Sequence, residues 1–169
     1  HHWSWDSELD PEGDGRVPTP DEVRCMSYTA LIHGARGLLY YAYVLDAGNR
    51  GKPYRLTQDA PALWTSLIRL NRELAWIEPL FVQGTWHPLT LSTTEPVHLA
   101  YWVCGDKVML VAANTSDEPA LQTFRLPPIE KSMLTNVFTG EKLVGSDQDY
   151  GMEFGPHDVL VMMGRLSGE

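Results

Sequence analysis

The residue types best suited to chemistry crowd the start of the chain. Trp3 and Trp5 precede a run of spaced carboxylates at Asp6, Glu8, Asp10, Glu12 and Asp14. Indole planes beside polar, loop-like sequence offer an apolar face for stacking with polar neighbours at hand. Tyr41 and Tyr43 extend this aromatic set, because residues two apart on a strand share a face. Asp10-Pro11-Glu12-Gly13-Asp14-Gly15, with Asp21 beyond it, approximates a calcium loop, with oxygen ligands at alternate positions before a glycine. Glu12 stands where Asp or Asn is usual, however, and Asp21 falls at a helix start, where the dipole favours a negative charge. An ordinary acidic turn is the favoured reading, and no metal or cofactor is expected.

Composition narrows the partners. With 13 Lys+Arg against 22 Asp+Glu the formal charge is −9, and no basic cluster offers a polyanion a local exception, so nucleic acid is not an expected partner. The longest apolar run, residues 37–45, is far short of the ~20 residues a bilayer span needs, and no membrane role follows. Cys25 and Cys104 form neither a metal half-site nor a disulfide framework, and Cys25 reads as a small buried hydrophobe in a helix. His33 falls in the last turn of that helix, and His87, His98 and His157 are scattered with no metal spacing. Gly-rich phosphate loops and the G-x-S-x-G elbow of acyl transfer are absent. The chain opens abruptly on His1-His2-Trp3 and reads as though sequence precedes it, so the compartment stays open.

The elements that would position these groups fall into two textures. Thr19-Pro20-Asp21-Glu22 is a helix start, with Thr19 as cap, Pro20 at the first helical position and Glu22 closing a capping box. That helix is expected to run to about His33, with Gly34 as its left-handed stop. Leu38–Val44 is an unbroken apolar run between glycines, which favours a strand buried on both faces, usually a parallel one. After a polar loop over 45–58, Asp59 reads as the cap of a second helix. Its stripe is Leu63, Trp64, Leu67, Leu70, Asn71 and Leu74, with Arg69, Arg72 and Glu73 left wet, and Pro79 is expected to stop it. One buried parallel strand cannot make a sheet. From about Gly84 short alternating segments follow, at 89–93, 97–104, 107–113, 121–126, 133–138, 150–154 and 159–163, and turn residues between them predict an antiparallel sandwich. The division expected is 1–84 and 85–169.

These segments carry a family resemblance. PTPDEVRCMSYTALIHGARGLLYYAY followed by ALWTSLIRLNRELAWIEPLF resembles the last βα units of barrel-fold glycoside hydrolases, the β-galactosidase-like and related families. VMLVAANTSDEPALQTFRLPP through YGMEFGPHDVLVMMG is similar to the small β-sandwich that ends many such enzymes and the α-amylases. The fold implied is α/β followed by all-β: the end of a (β/α)8 barrel, residues 1–84, and an accessory antiparallel β-sandwich, residues 85–169. A complete barrel typically takes roughly 250 residues, so the resemblance also implies a remaining barrel segment, from the same polypeptide or from a partner chain. The activity implied is hydrolysis of O-glycosyl bonds in a carbohydrate substrate, which uses two carboxyl groups flanking the scissile bond. On this alignment His1–Asp6 leave the seventh strand, so Glu8, the better match to a glutamate nucleophile, and Asp6 are the catalytic candidates. Trp3, Trp5, Tyr41 and Tyr43 are the substrate-binding candidates, the other reading being that these aromatics fill the barrel core and the gap beneath the loop. The alternative is a noncatalytic carbohydrate-binding or assembly module built on barrel remnants.

Overall fold

The computed structural model describes residues 17–40, 43–45, 54–89, 96–127, 129–146 and 148–167. Helix α1 (Pro20–Ile32) begins where the capping box predicts. The Glu22 N–H donates to Thr19 Oγ1 at 3.2 Å, and the Thr19 N–H donates to the Glu22 carboxylate at 2.7 Å. His33 is the C-cap, and Gly34 takes the left-handed conformation with φ of 89°, which only glycine adopts without strain.

A two-residue ribbon pairs β1 (Val44–Leu45) antiparallel with β2 (Tyr54–Arg55), and one short turn, α2 (Leu56–Asp59), leads into α3 (Pro61–Gln83). Here two sequence expectations fail. Asp59 does not cap α3; its carboxylate reaches back to accept the Arg55 N–H at 2.7 Å, and Ala60 stands at the N-cap. Pro79 does not stop the helix either. An interior proline costs about 3 kcal/mol, but Ile77 just before it is fully buried and Phe81 just after it packs edge-on against Trp102, ring centroids 4.6 Å apart. Full burial of Ile77, at about 1.5–3 kcal/mol, together with the partial burial of Phe81, offsets that cost. The helix ends instead at Gly84, whose N–H donates to the Leu80 carbonyl at 3.0 Å. A side chain there would collide with that carbonyl and press on the Trp102 Cβ at 3.2 Å.

Eight strands follow: β3 (Thr85–Leu89), β4 (Val97–Cys104), β5 (Lys107–Asn114), β6 (Ala120–Arg125), β7 (Met133–Asn136), β8 (Lys142–Val144), β9 (Asp149–Phe154) and β10 (Val159–Arg165). They form a six-stranded antiparallel sheet of order β3-β4-β5-β10-β7-β8 and a two-stranded one, β6-β9. The two sheets face each other across Leu99, Val108, Leu110, Phe124, Tyr150, Met152 and Phe154. On the opposite face α1 and α3 lie against Ala100, Trp102, Met109, Val111 and Val161. The result is three layers. The predicted antiparallel texture is present, with differences: β3 at Thr85–Leu89 is not an expected strand, while the expected 89–93 segment lies, beyond Leu89, outside the described residues, and the 133–138 segment ends at Asn136, whose side-chain oxygen accepts the N–H groups of Phe138 and Thr139. β8 has no counterpart among the expected strands, being three residues long with two exposed side chains. All strand pairs among the described residues are antiparallel.

Leu38–Val44 departs furthest from expectation. Residues 38–40 are not in a strand, Leu39 is 93% exposed and Tyr40 is 37% exposed. A run apolar on every side is buried only when strands flank it, and none of the described strands pairs with 38–40.

The layers are pinned at Asn114, the fully buried last residue of β5. Its Nδ2 donates to the carbonyls of Glu118 (2.7 Å) and Gly155 (2.9 Å), while its Oδ1 accepts from the N–H and hydroxyl of Ser116. Its backbone carbonyl lies 3.2 Å from the Cys25 thiol of α1, which burial keeps protonated and able to donate. Asn114→Ala leaves several buried groups unpaired, and the expected loss is about 2–3 kcal/mol, or a fall of roughly 5–10 °C in Tm. Thermal unfolding followed by circular dichroism measures it.

Candidate functional site

Of the predicted site residues, Trp3, Trp5, Asp6, Glu8 and Tyr41 lie outside the described residues, as does the acidic loop before Arg16. Tyr43 is described, and its surroundings suit an amphipathic ligand. The β1–β2 ribbon fixes its backbone, and its carbonyl accepts the Leu56 N–H at 3.0 Å. Its ring is 53% exposed, its phenol oxygen lies 3.3 Å from Thr57 Oγ1, and it meets Trp64 edge-on at 5.6 Å. Two exposed aromatic rings with hydroxyls at hand offer an apolar plane and polar neighbours together.

Trp64 does not belong to the core stripe that periodicity assigns it. The buried stripe of α3 is Leu63, Leu67, Leu70 and Ile77, and Trp64, one step round, stays 36% exposed. Glu73, for its part, is not the wet residue that its spacing suggests. It is half-buried and accepts from Arg24 Nε at 2.9 Å and from the Tyr28 phenol at 3.4 Å, while Arg24 also donates to the Val159 carbonyl at 3.0 Å. Burial, reinforced by Glu73, pushes the Tyr28 phenol well above its ordinary range, so it is a donor throughout the physiological range. This junction ties α1, α3 and β10 together.

A second apolar line runs along α3 at Trp64, Ile68, Ala75, Pro79 and Val82, spaced three, four and seven residues apart and exposed throughout. Near the C-terminal ends of α1 and α3 an open groove of about 860 Å³ is lined by Leu38, Leu74, Val82, Trp86 and Trp102, with Arg36, Asn71 and Glu78 as polar members. Tyr40 flanks α1, its phenol 2.9 Å from Ser27 Oγ.

Two histidine clusters have no signal in the sequence. His157, in a left-handed turn with φ of 55°, places Nε2 2.9 Å from Asp117 and 3.9 Å from Glu22. His33 and His98, 65 positions apart, bring Nε2 and Nδ1 within 3.0 Å with their rings nearly perpendicular. Burial, and then the neighbouring His33, lowers the His98 pKa. Only the fold makes them neighbours: a helix C-cap laid over the start of β4.

No protein-family profile matches the chain, and no curated protein does. Solved structures do. An α-amylase from Geobacillus thermoleovorans, complexed with acarbose, superposes with a TM-score of 0.66 at 15% identity, over 96% of this chain and 36% of that one. An Anoxybacillus α-amylase gives 0.59 at 14% identity over 96% and 36%. A family 27 β-L-arabinopyranosidase from Geobacillus stearothermophilus, in complex with arabinose, gives 0.58 at 14% identity over 95% and 34%. The likeness is one of fold, and this chain spans about a third of the length of these structures. Its antiparallel sheet domain and the helices on it have the fold found in part of these glycoside hydrolase chains.

The lowered His98 pKa has a signed consequence. The unfolded chain takes up a proton near the ordinary value of 6.5 while the folded chain does so only at lower pH. The unfolded state therefore binds more protons in that window, and stability present above pH 6.5 is lost on acidification. Tm measured from about pH 7.5 down to about 5.5 is expected to fall more steeply for the native sequence than for His98→Gln; equal slopes would contradict it.

Proposed function

We propose that this chain is the C-terminal portion of a glycoside hydrolase, with 1–84 as the last βα units of a (β/α)8 barrel and 85–169 as an accessory β-sandwich that stabilises it. The observation that carries this reading is the unpartnered apolar surface: Leu39 at 93% exposure, Val82 at 68%, and the line running from Trp64. Large apolar side chains left in water along one helix and on the segment after α1 are what a covering partner would bury. Barrel strands and helices, from the same polypeptide or a partner chain, are what that surface fits. The solved structures of similar fold, of which this chain spans about a third, support it, and the acarbose and arabinose bound in two of them are carbohydrates.

Within the completed barrel, Glu8 serves as nucleophile, with Asp6 as the other candidate, at the end of the seventh strand. Trp3, Trp5, Tyr41 and Tyr43 line the sugar cleft at the C-terminal mouth, where active sites of this fold lie. The second carboxyl group comes from strand four. In the complete enzyme, Glu8→Gln is expected to lower kcat on aryl glycosides by roughly 10²–10⁴-fold. Tyr43→Ala should act mainly on KM, since a stacking platform binds ground state and transition state alike. Undiminished turnover in Glu8→Gln takes Glu8 out of the mechanism. If Asp6→Asn is equally silent, the noncatalytic carbohydrate-binding module becomes the better reading.

A further inference from the structure

His33 Nε2 and His98 Nδ1 meet at a separation that a hydrogen bond and a shared metal ion both fit. Two nitrogens bound to one metal at about 2.0–2.1 Å lie about 2.9 Å apart at a right angle and about 3.3 Å apart at the tetrahedral angle. The observed separation of 3.0 Å falls between these. Each residue's backbone is fixed by its own element. The His33 N–H donates to the Thr29 carbonyl at 3.0 Å, and the Trp86 indole donates to the Ile32 carbonyl at 3.1 Å, which holds the end of α1 in place. His98 is on β4 opposite Ala113 of β5, within the continuous β4–β5 ladder.

We propose that His33 and His98 form a two-histidine chelate for a divalent transition-metal ion, with copper(II) the tightest bound. The ion takes the place of the hydrogen shared between His33 Nε2 and His98 Nδ1. That hydrogen moves through solvent to the outer nitrogen of the same ring, so both imidazoles stay neutral and no net proton is released. Turning both lone pairs toward one point requires the hydrogen-bonded rings to rotate off the line that joins them, which the exposed His33 side chain has room to do. Imidazole suits copper, nickel and zinc, and copper(II) leads the divalent series in affinity. The net charge of −9 favours the approach of a cation. Among the described residues no third histidine, cysteine or carboxylate joins the pair, so water or an external ligand fills the remaining positions and the ion is exchangeable. This site does not depend on the glycosidase reading.

The test is calorimetric titration of the full chain with copper(II) at about pH 7.5, with His1 and His2 changed to Ser so that those histidines do not compete. One equivalent is expected, weakened at least tenfold by His33→Gln and by His98→Gln. The copper EPR spectrum should pass from a two-nitrogen to a one-nitrogen pattern in each variant. His33→Gln alters an exposed side chain, so circular dichroism should show it folded even if His98→Gln is not. Affinity within twofold of the parent in His33→Gln, or an unchanged nitrogen pattern, overturns the chelate.

Discussion

The strand β5 is buried along nearly its whole length, and the other layers depend on it. Met109, Val111 and Ala113 face the helices, while Val108, Leu110 and Ala112 face the small sheet, all fully buried. An antiparallel strand with one wet face would alternate apolar and polar residues; this one has no polar face to offer. The helices are therefore part of the sheet's core rather than an attachment to it. Asn114 closes the strand with its hydrogen bonds satisfied inside the protein, which is the condition on which a fully buried amide is tolerated.

That arrangement decides which surfaces are left over. α3 spends one stripe on the sheet, through Leu67, Leu70 and Ile77, and its second apolar line stays in water, as does Leu39 in the segment that follows α1. A helix apolar on more than one face suits a position between two bodies. The sheet domain supplies one body. The proposed barrel supplies the other, and the aromatic pair Tyr43–Trp64 then stands where the eighth strand would leave the barrel. Shared fold alone does not carry a reaction, so the proposed hydrolysis stands or falls with the proposed roles of Glu8 and Asp6.

Much of this is legible in the sequence because local chemistry and fold agree. The capping box at Thr19–Glu22, the left-handed Gly34, the boundaries of Val97–Cys104 and the turns at Gly105 and Gly140 follow from short-range rules. What the sequence hides is non-local. Pro79 obeys its propensity only until Ile77 and Phe81 find the sheet. Glu73 reads as solvated until Arg24, 49 positions away, comes to meet it. Leu38–Val44 reads as a buried strand because its composition states what surroundings it needs, not whether these residues supply them. Most of the candidate site, Trp3 through Glu8 and Tyr41, falls outside the described residues, and only Tyr43 with its unforeseen neighbours Thr57 and Trp64 can be placed.

The central claim is that the exposed apolar surface belongs to a larger barrel. The most direct measurement is the intact mass of the polypeptide as isolated from its natural source. A mass tens of kilodaltons above 19.0 kDa is expected, on the order required by the rest of a barrel of roughly 250 residues. A natural species of 19.0 kDa that sediments as a monomer with no partner bound would contradict it.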